Sequence, residues 1–165
     1  IDKLDDIEIE EIMSYLSSRK QWIDGVVISG GEPTINPDLP DILKSIRKNG
    51  HLIKLDTNGN CPVMLSDLIS ERLVDFVAMD IKTRLLFSEY NQITNCHDIR
   101  LIEKVSESIN ILRKSGIQYQ FRTTVIPGVH SNEIIQHLKE EFKNDPWVLN
   151  QYRHGNTVDS TTLLA

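Results

Sequence analysis

Val26-Val27-Ile28-Ser29-Gly30-Gly31-Glu32-Pro33 joins a short apolar run to a glycine pair, an acid and a proline. Three consecutive branched apolar residues read as a buried strand, and the Gly-Gly-Glu-Pro after them continues neither a strand nor a helix. Upstream, Ile9, Ile12, Met13 and Leu16 share one helical face. Asp5 or Asp6 is placed to cap that helix, and Gly25 ends it. Downstream, Pro37-Asp38-Leu39-Pro40 opens a second helix with Ile42, Leu43 and Ile46 on its apolar face and Gly50 as its stop. Helix, strand and helix therefore alternate around the quoted stretch.

The alternation continues along the chain. His51 to Asp56 reads as a second strand ending at Thr57-Asn58-Gly59, followed by a helix near Met64 to Arg72. Asp75 to Asp80 reads as a third strand, with a short helix around Ser88 to Ile93 and a long one from about Ile99 to Ser115. Tyr119 to Ile126 is the fourth strand, closed by Pro127-Gly128. Ser131 or Asn132 caps a last helix to about Phe142, and Trp147 to Tyr152 is the fifth strand. Strands alternating with helices are mostly parallel, joined by right-handed crossovers. Two architectures fit, a doubly wound open sheet and a full or partial barrel. No repeat or linker interrupts the pattern, which predicts one domain over residues 1–165.

Composition bounds the function. Hydrophobic residues make up 39% of the 165, enough for a core, and no apolar run approaches the roughly 20 residues of a membrane helix. A formal net charge of −6 argues against a broad basic face for nucleic acid. No basic start followed by an apolar stretch is present, so no signal peptide is read. Cys61 and Cys96 form no CxxC-like pair and read as free thiols in a reducing cytoplasm. The five histidines, His51, His97, His130, His137 and His154, lack metal-ligand spacing and read as surface or loop residues.

In parallel α/β architectures ligands gather at the carboxyl ends of the strands. Here those ends carry Ser29-Gly30-Gly31-Glu32, then Asp56-Thr57-Asn58-Gly59, then Asp80-Ile81-Lys82, then Arg122 and Pro127-Gly128, then Asn150, Gln151 and Arg153. Glycines admit close approach to backbone groups; Glu32, Asp56 and Asp80 suit an amine or a ribose hydroxyl; Lys82 and Arg122 suit a carboxylate. An amino-acid-bearing nucleoside combines these groups. Each element also has a plainer reading. Gly-Gly and Asn-Gly are common turns, and Asp80 with Lys82 suits a simple salt bridge.

These residues resemble the radical S-adenosylmethionine (SAM) enzymes of the glycyl-radical-activase type. Ser29-Gly30-Gly31-Glu32-Pro33 is similar to their Gly-Gly-Glu-Pro motif, and Asp56-Thr57-Asn58-Gly59 to their Asp-Thr-Asn-Gly segment. Met79-Asp80-Ile81-Lys82 resembles their Asp-x-Lys strand, and Phe121 to Gly128 their arginine-bearing fifth strand. Gln151-Tyr152-Arg153-His154-Gly155-Asn156-Thr157 is similar to the tail of anaerobic ribonucleotide reductase activators, with His154 in place of a proline. The resemblance implies a partial (β/α)6 barrel with mostly parallel strands whose first strand is missing from this sequence. It implies S-adenosyl-L-methionine as cofactor, held by Ser29, Gly30, Gly31, Glu32, Asp56, Thr57, Asp80, Lys82 and Arg122.

The family also holds a [4Fe–4S] cluster on a CxxxCxxC motif, which this sequence lacks. The resemblance therefore implies cluster ligands upstream of Ile1, with a cluster-free relative as the other account. It implies a chain that alone does not cleave SAM. For the whole protein it implies a reductive cleavage that generates a glycyl radical on a partner enzyme such as anaerobic ribonucleotide reductase. An electron donor such as flavodoxin or ferredoxin is also implied. Another radical SAM reaction on a small nucleoside precursor, or a non-catalytic binding barrel, would use the same pocket.

Overall fold

The computed structural model describes residues 7–152. The caps at Asp5 or Asp6 and the segment from Arg153 through Thr157, including His154, lie outside them. Six α-helices and five strands follow in the order α1 (Ile9–Ser18), β1 (Gly25–Ile28), α2 (Leu39–Lys48), β2 (Leu52–Thr57), α3 (Pro62–Ser70), β3 (Phe76–Asp80), α4 (Phe87–Thr94), α5 (Leu101–Ser115), β4 (Gln118–Val125), α6 (Asn132–Glu141) and β5 (Trp147–Gln151). A single 3-10 turn, Pro33–Ile35, sits between β1 and α2, where the sequence suggests only a glycine turn. Among the described residues no helix is long and apolar enough to cross a membrane.

The strands lie in the order β1-β2-β3-β4-β5, and every neighbouring pair is parallel. This order decides between the two architectures left open by the sequence. A doubly wound sheet reverses direction part-way; here each crossover steps the same way. Right-handed connections that always step in one direction place every helix on one face, as in a barrel.

Side-chain burial follows from that one-sided cover. Ile53, Leu55, Val77, Met79 and Phe121 point to the helices and are at most 1% exposed. They pack with Leu43 and Ile46 of α2, Leu65 and Leu68 of α3, Leu112 of α5 and Leu138 of α6. Each such side chain stabilises the fold by roughly 1.5–3 kcal/mol. The alternate residues, Val27, Lys54, Asp56, Asp80, Arg122 and Val148, face the open side, where Val27 and Val148 stay largely exposed. Helix ends follow local chemistry. Ser131 Oγ accepts the Ile134 N–H at the start of α6, and Gly116 takes a left-handed turn after α5.

Candidate functional site

The carboxyl ends of β1 to β4 meet at one rim, and two bonded clusters occupy it. The first is built on Glu32, which caps the 3-10 turn. Its Oε1 accepts the Thr34 N–H at 3.2 Å, the Thr34 hydroxyl, and the Thr57 hydroxyl at 2.7 Å. Its Oε2 accepts the Asn58 N–H at 2.6 Å. The acid after the glycine pair thus ties the β1 loop to the end of β2. Ser29, Gly30 and Gly31 stand exposed before it. Gly30 has a φ of +151°, and a Cβ at either glycine would meet no atom within 4 Å.

The second cluster is a charge ladder across β2, β3 and β4. Arg122 Nε donates to Asp80 Oδ1 at 3.0 Å and Nη1 donates to Asp56 Oδ2 at 3.0 Å. Lys82 Nζ donates to Asp80 Oδ2 at 2.9 Å, and Lys54 Nζ lies 3.1 Å from Asp56 Oδ1. Register explains the reach of Arg122. It pairs directly with Asp80, while Asp56 pairs with Ala78, whose methyl group leaves room for the guanidinium to cross β3. Burial works against the Arg122 charge, but Asp56 and Asp80 together outweigh it and raise its pKa above the ordinary value. Three cations and two anions leave this network one positive charge in excess.

All nine sequence-derived site residues therefore lie at one end of the sheet. Asp56, Asp80, Lys82 and Arg122 share one network, Glu32 and Thr57 the other, and Asp56 and Thr57 join the two through the chain. The Asp80–Lys82 salt bridge, the plainer reading, is also present. Sequence reasoning missed several supporting residues. Thr34, Lys54 and Ser108 are among them. Ser108 Oγ donates to Gly59 O at 2.7 Å from inside α5, and its signal is a small polar residue on an otherwise apolar stripe. His130 and His51 are not plain surface residues. His130 bridges the loops after β3 and β4. His51 precedes β2 as a loop residue but is 3% exposed, with Nδ1 2.9 Å from Ile23 O. Cys61 and Cys96 are free thiols, as read.

The charged side chains of the rim are partly exposed. A concavity of about 1050 Å³ opens at the opposite ends of β1 to β4, around Asp24, Arg47, Arg72 and Asp75. Another, about 740 Å³, lies outside the sheet between the 3-10 turn, α3 and α5. Asp56, Asp80, Lys82 and Arg122 line neither. Polar chemistry concentrated at the strand ends marks the rim as the candidate site, in keeping with parallel α/β folds.

The family model of the radical SAM superfamily matches residues 1–140. The chain belongs to the radical SAM superfamily. A Methanocaldococcus jannaschii protein named as a glycyl-radical enzyme activating enzyme is 31% identical over 155 residues, 92% of this chain and 63% of its own length. A second protein of that name and organism is 27% identical, covering 82% of this chain and 52% of itself. A Pyrococcus horikoshii protein named as a GTP 3′,8-cyclase is 28% identical over 77% of this chain and 39% of itself. The radical SAM chain thus spans less than two thirds of these relatives. Among solved structures, TYW1 with a lysine–pyruvate adduct bound superposes with a TM-score of 0.64 at 23% identity, covering 90% of this chain and 52% of that one. Archaeal TYW1 gives 0.59 at 21%, covering 87% and 55%. These likenesses establish a shared fold.

Proposed function

We propose that this chain supplies the S-adenosylmethionine-binding rim of a radical SAM activase whose target is a glycyl-radical enzyme, such as an anaerobic ribonucleotide reductase. One observation carries the reading: Asp56, Asp80, Lys82 and Arg122, from three successive strands, converge in one bonded network beside the Gly-Gly-Glu-Pro loop. The activase role is supported by the 31% identical relative of that name.

The donor set fits the cofactor's polar end. Lys82 Nζ has three N–H donors and a single described acid partner, leaving donors for a carboxylate. Asp80 and Asp56 offer oxygens to an ammonium or ribose hydroxyl. Glu32 is largely consumed by Thr34, Thr57 and Asn58, so we assign it to shaping the cradle, with Oε2 retaining acceptor capacity. Gly31 supports the same reading. Its φ is not in the left-handed region and a Cβ there would touch nothing, so packing within the chain does not demand glycine. A molecule lying against the loop would. S-adenosylmethionine supplies, when bound, the carbon–sulfur bond whose reductive cleavage is the family's chemistry. The protein's part at this rim is to bind and orient it.

The iron–sulfur cluster does not fit the described residues. No group of three His, Cys, Asp or Glu side chains among them could hold a metal, and the two cysteines are separate.

The test is anaerobic incubation of the full-length gene product with S-adenosylmethionine, a reductant and a candidate anaerobic ribonucleotide reductase, read by electron paramagnetic resonance. A glycyl-radical signal on the partner supports the proposal; cofactor cleavage without it, with a modified nucleotide as product, overturns the activase role. That second outcome is the reading favoured by the cyclase-named relative.

A further inference from the structure

Lys82 stands two residues beyond the last residue of β3, where the strand ladder no longer holds its peptide. Two side chains outside the charge network hold it instead. Tyr90, from α4, accepts the Lys82 N–H on its phenol oxygen at 3.2 Å. His130, from the loop after β4, brings Nε2 to 2.7 Å from Lys82 O and Nδ1 to 2.9 Å from the Ile126 nitrogen. The Ile126 N–H only donates, so Nδ1 must carry the lone pair. Nε2 then carries the proton of a neutral imidazole and donates to the Lys82 carbonyl. Tyr90 is 1% exposed, and that burial raises its phenol pKa, so the hydroxyl stays neutral.

The residues on either side are fastened too. Ile81 N–H donates to Arg122 O at 2.8 Å, the Thr123 hydroxyl donates to Ile81 O at 2.8 Å, and the Thr83 hydroxyl donates to Glu89 at 2.9 Å. The backbone groups of Ile81 and Lys82 are thus each held and Thr83 is tied by its side chain, while the Lys82 side chain remains 36% exposed at the rim. Such fixing is what a flexible lysine needs if its ammonium is to meet a ligand group at a set place.

We infer that Tyr90 and His130 are positioning residues that clamp the Lys82 peptide from both sides and so set the site's affinity for the carboxylate end of its nucleoside ligand. The inference rests on the reading of Lys82 as the carboxylate's partner. It acts through Lys82, so its mark is selective: a nucleoside without a carboxylate should not sense the clamp.

Calorimetric titration of the full-length gene product with S-adenosylhomocysteine and with 5′-methylthioadenosine, which lacks the amino acid end, tests it. His130→Asn keeps an acceptor two bonds from Cβ, where Nδ1 stood, and loses the donor to Lys82. His130→Gln puts an amide nitrogen three bonds from Cβ, where Nε2 stood. His130→Asn and Tyr90→Phe should each weaken S-adenosylhomocysteine by about 3- to 10-fold, the loss of one ordinary hydrogen bond, and leave methylthioadenosine unchanged. His130→Gln should restore binding to within about 2-fold. Lys82→Met is the reference and should show the same selectivity. If Lys82→Met leaves S-adenosylhomocysteine binding intact, or the unaltered protein binds neither nucleoside, the site reading falls and the clamp with it. If Lys82→Met is selective but the Tyr90 and His130 variants weaken neither nucleoside, or both equally, the clamp alone falls. Should His130→Asn fail to fold, Tyr90→Phe, which keeps the buried ring, decides.

Discussion

Glu32 Oε2 accepts the Asn58 backbone N–H at 2.6 Å while its Oε1 takes the Thr57 hydroxyl, so one carboxylate closes the loop after β1 onto the end of β2. Thr57 is 4% exposed, and its hydroxyl also accepts the Gly59 N–H. Truncating the acid would leave half-buried donors without partners. Glu32→Ala is expected to cost about 1–3 kcal/mol in urea unfolding. Glu32→Gln preserves an acceptor at Oε1 but turns an amide N–H toward the Asn58 N–H, so it should recover only part of the loss. Full recovery by Gln would show that the second oxygen contributes nothing.

Arg122 is the link between two acids that would otherwise face one another. Asp56 and Asp80 keep 19% and 34% of their side-chain surface, so water softens the effect of removing the cation. Arg122→Met is expected to lose about 1–3 kcal/mol, below the range for fully buried pairs. In Arg122→Met each acid keeps a lysine partner, Lys54 for Asp56 and Lys82 for Asp80, which also holds the loss to this range. Arg122→Lys should stay well short of the parent, because an ammonium cannot span β3 to both acids. If chemical denaturation finds both variants as stable as the parent, the ladder is not held by Arg122.

Two glycines at the rim predict opposite behaviour. Gly59 has a φ of +76°, and a Cβ there would lie 2.0 Å from Met79 Cε. Its carbonyl also takes the Ser108 hydroxyl. Gly59→Ala is expected to destabilise by about 2–4 kcal/mol, from left-handed strain plus displacement of a buried side chain. Gly31→Ala meets no atom, so its melting temperature should stay within about 2 °C of the parent. If Gly31 lies against a ligand, its nucleoside affinity should fall instead. Thermal melts paired with S-adenosylhomocysteine titration separate the two effects.

The contrast between these glycines marks what the sequence could and could not reveal. Apolar periodicity located all five strands and six helices to within a few residues, because buried faces force their spacing. Strand-end chemistry then pointed to one rim, since parallel strands must all end on the same side. Sheet order was beyond periodicity, and only the family resemblance implied a barrel: doubly wound and one-directional sheets share the same local pattern, and pairing of β1 through β5 in sequence distinguishes them. Long-range hydrogen bonds were equally hidden. Nothing local to Glu32 reveals that it answers to Thr57 and Asn58, and nothing near His130 reveals that Lys82, 48 positions away, is its partner. The 3-10 turn after Glu32 went unread because Gly-Gly and proline mask a single helical turn.

The loop beyond Lys82 carries a pH-sensitive lock. Arg84 Nε donates to Glu89 Oε1 at 2.9 Å, Arg84 Nη2 pairs with the same oxygen, and the Thr83 hydroxyl donates to Oε2. Hydrogen bonding from Arg84, and after it from Thr83, holds the Glu89 carboxyl below the ordinary glutamate value of 4.5, against the opposing effect of burial. A carboxyl whose folded pKa is depressed binds its proton less readily than in the unfolded chain. Its stabilisation is therefore complete above the unfolded value and is lost as pH falls through the folded one. Glu89→Gln lacks this titration. Its melting temperature should lie below the parent's at pH 7, and the gap should shrink steadily from about pH 5 downward, closing once both side chains are neutral. Other depressed carboxyls, such as Asp98, titrate alike in both proteins and cancel in the difference. Parallel melting curves across pH 7 to 3 would mean that the Arg84–Glu89 pair does not contribute to folding.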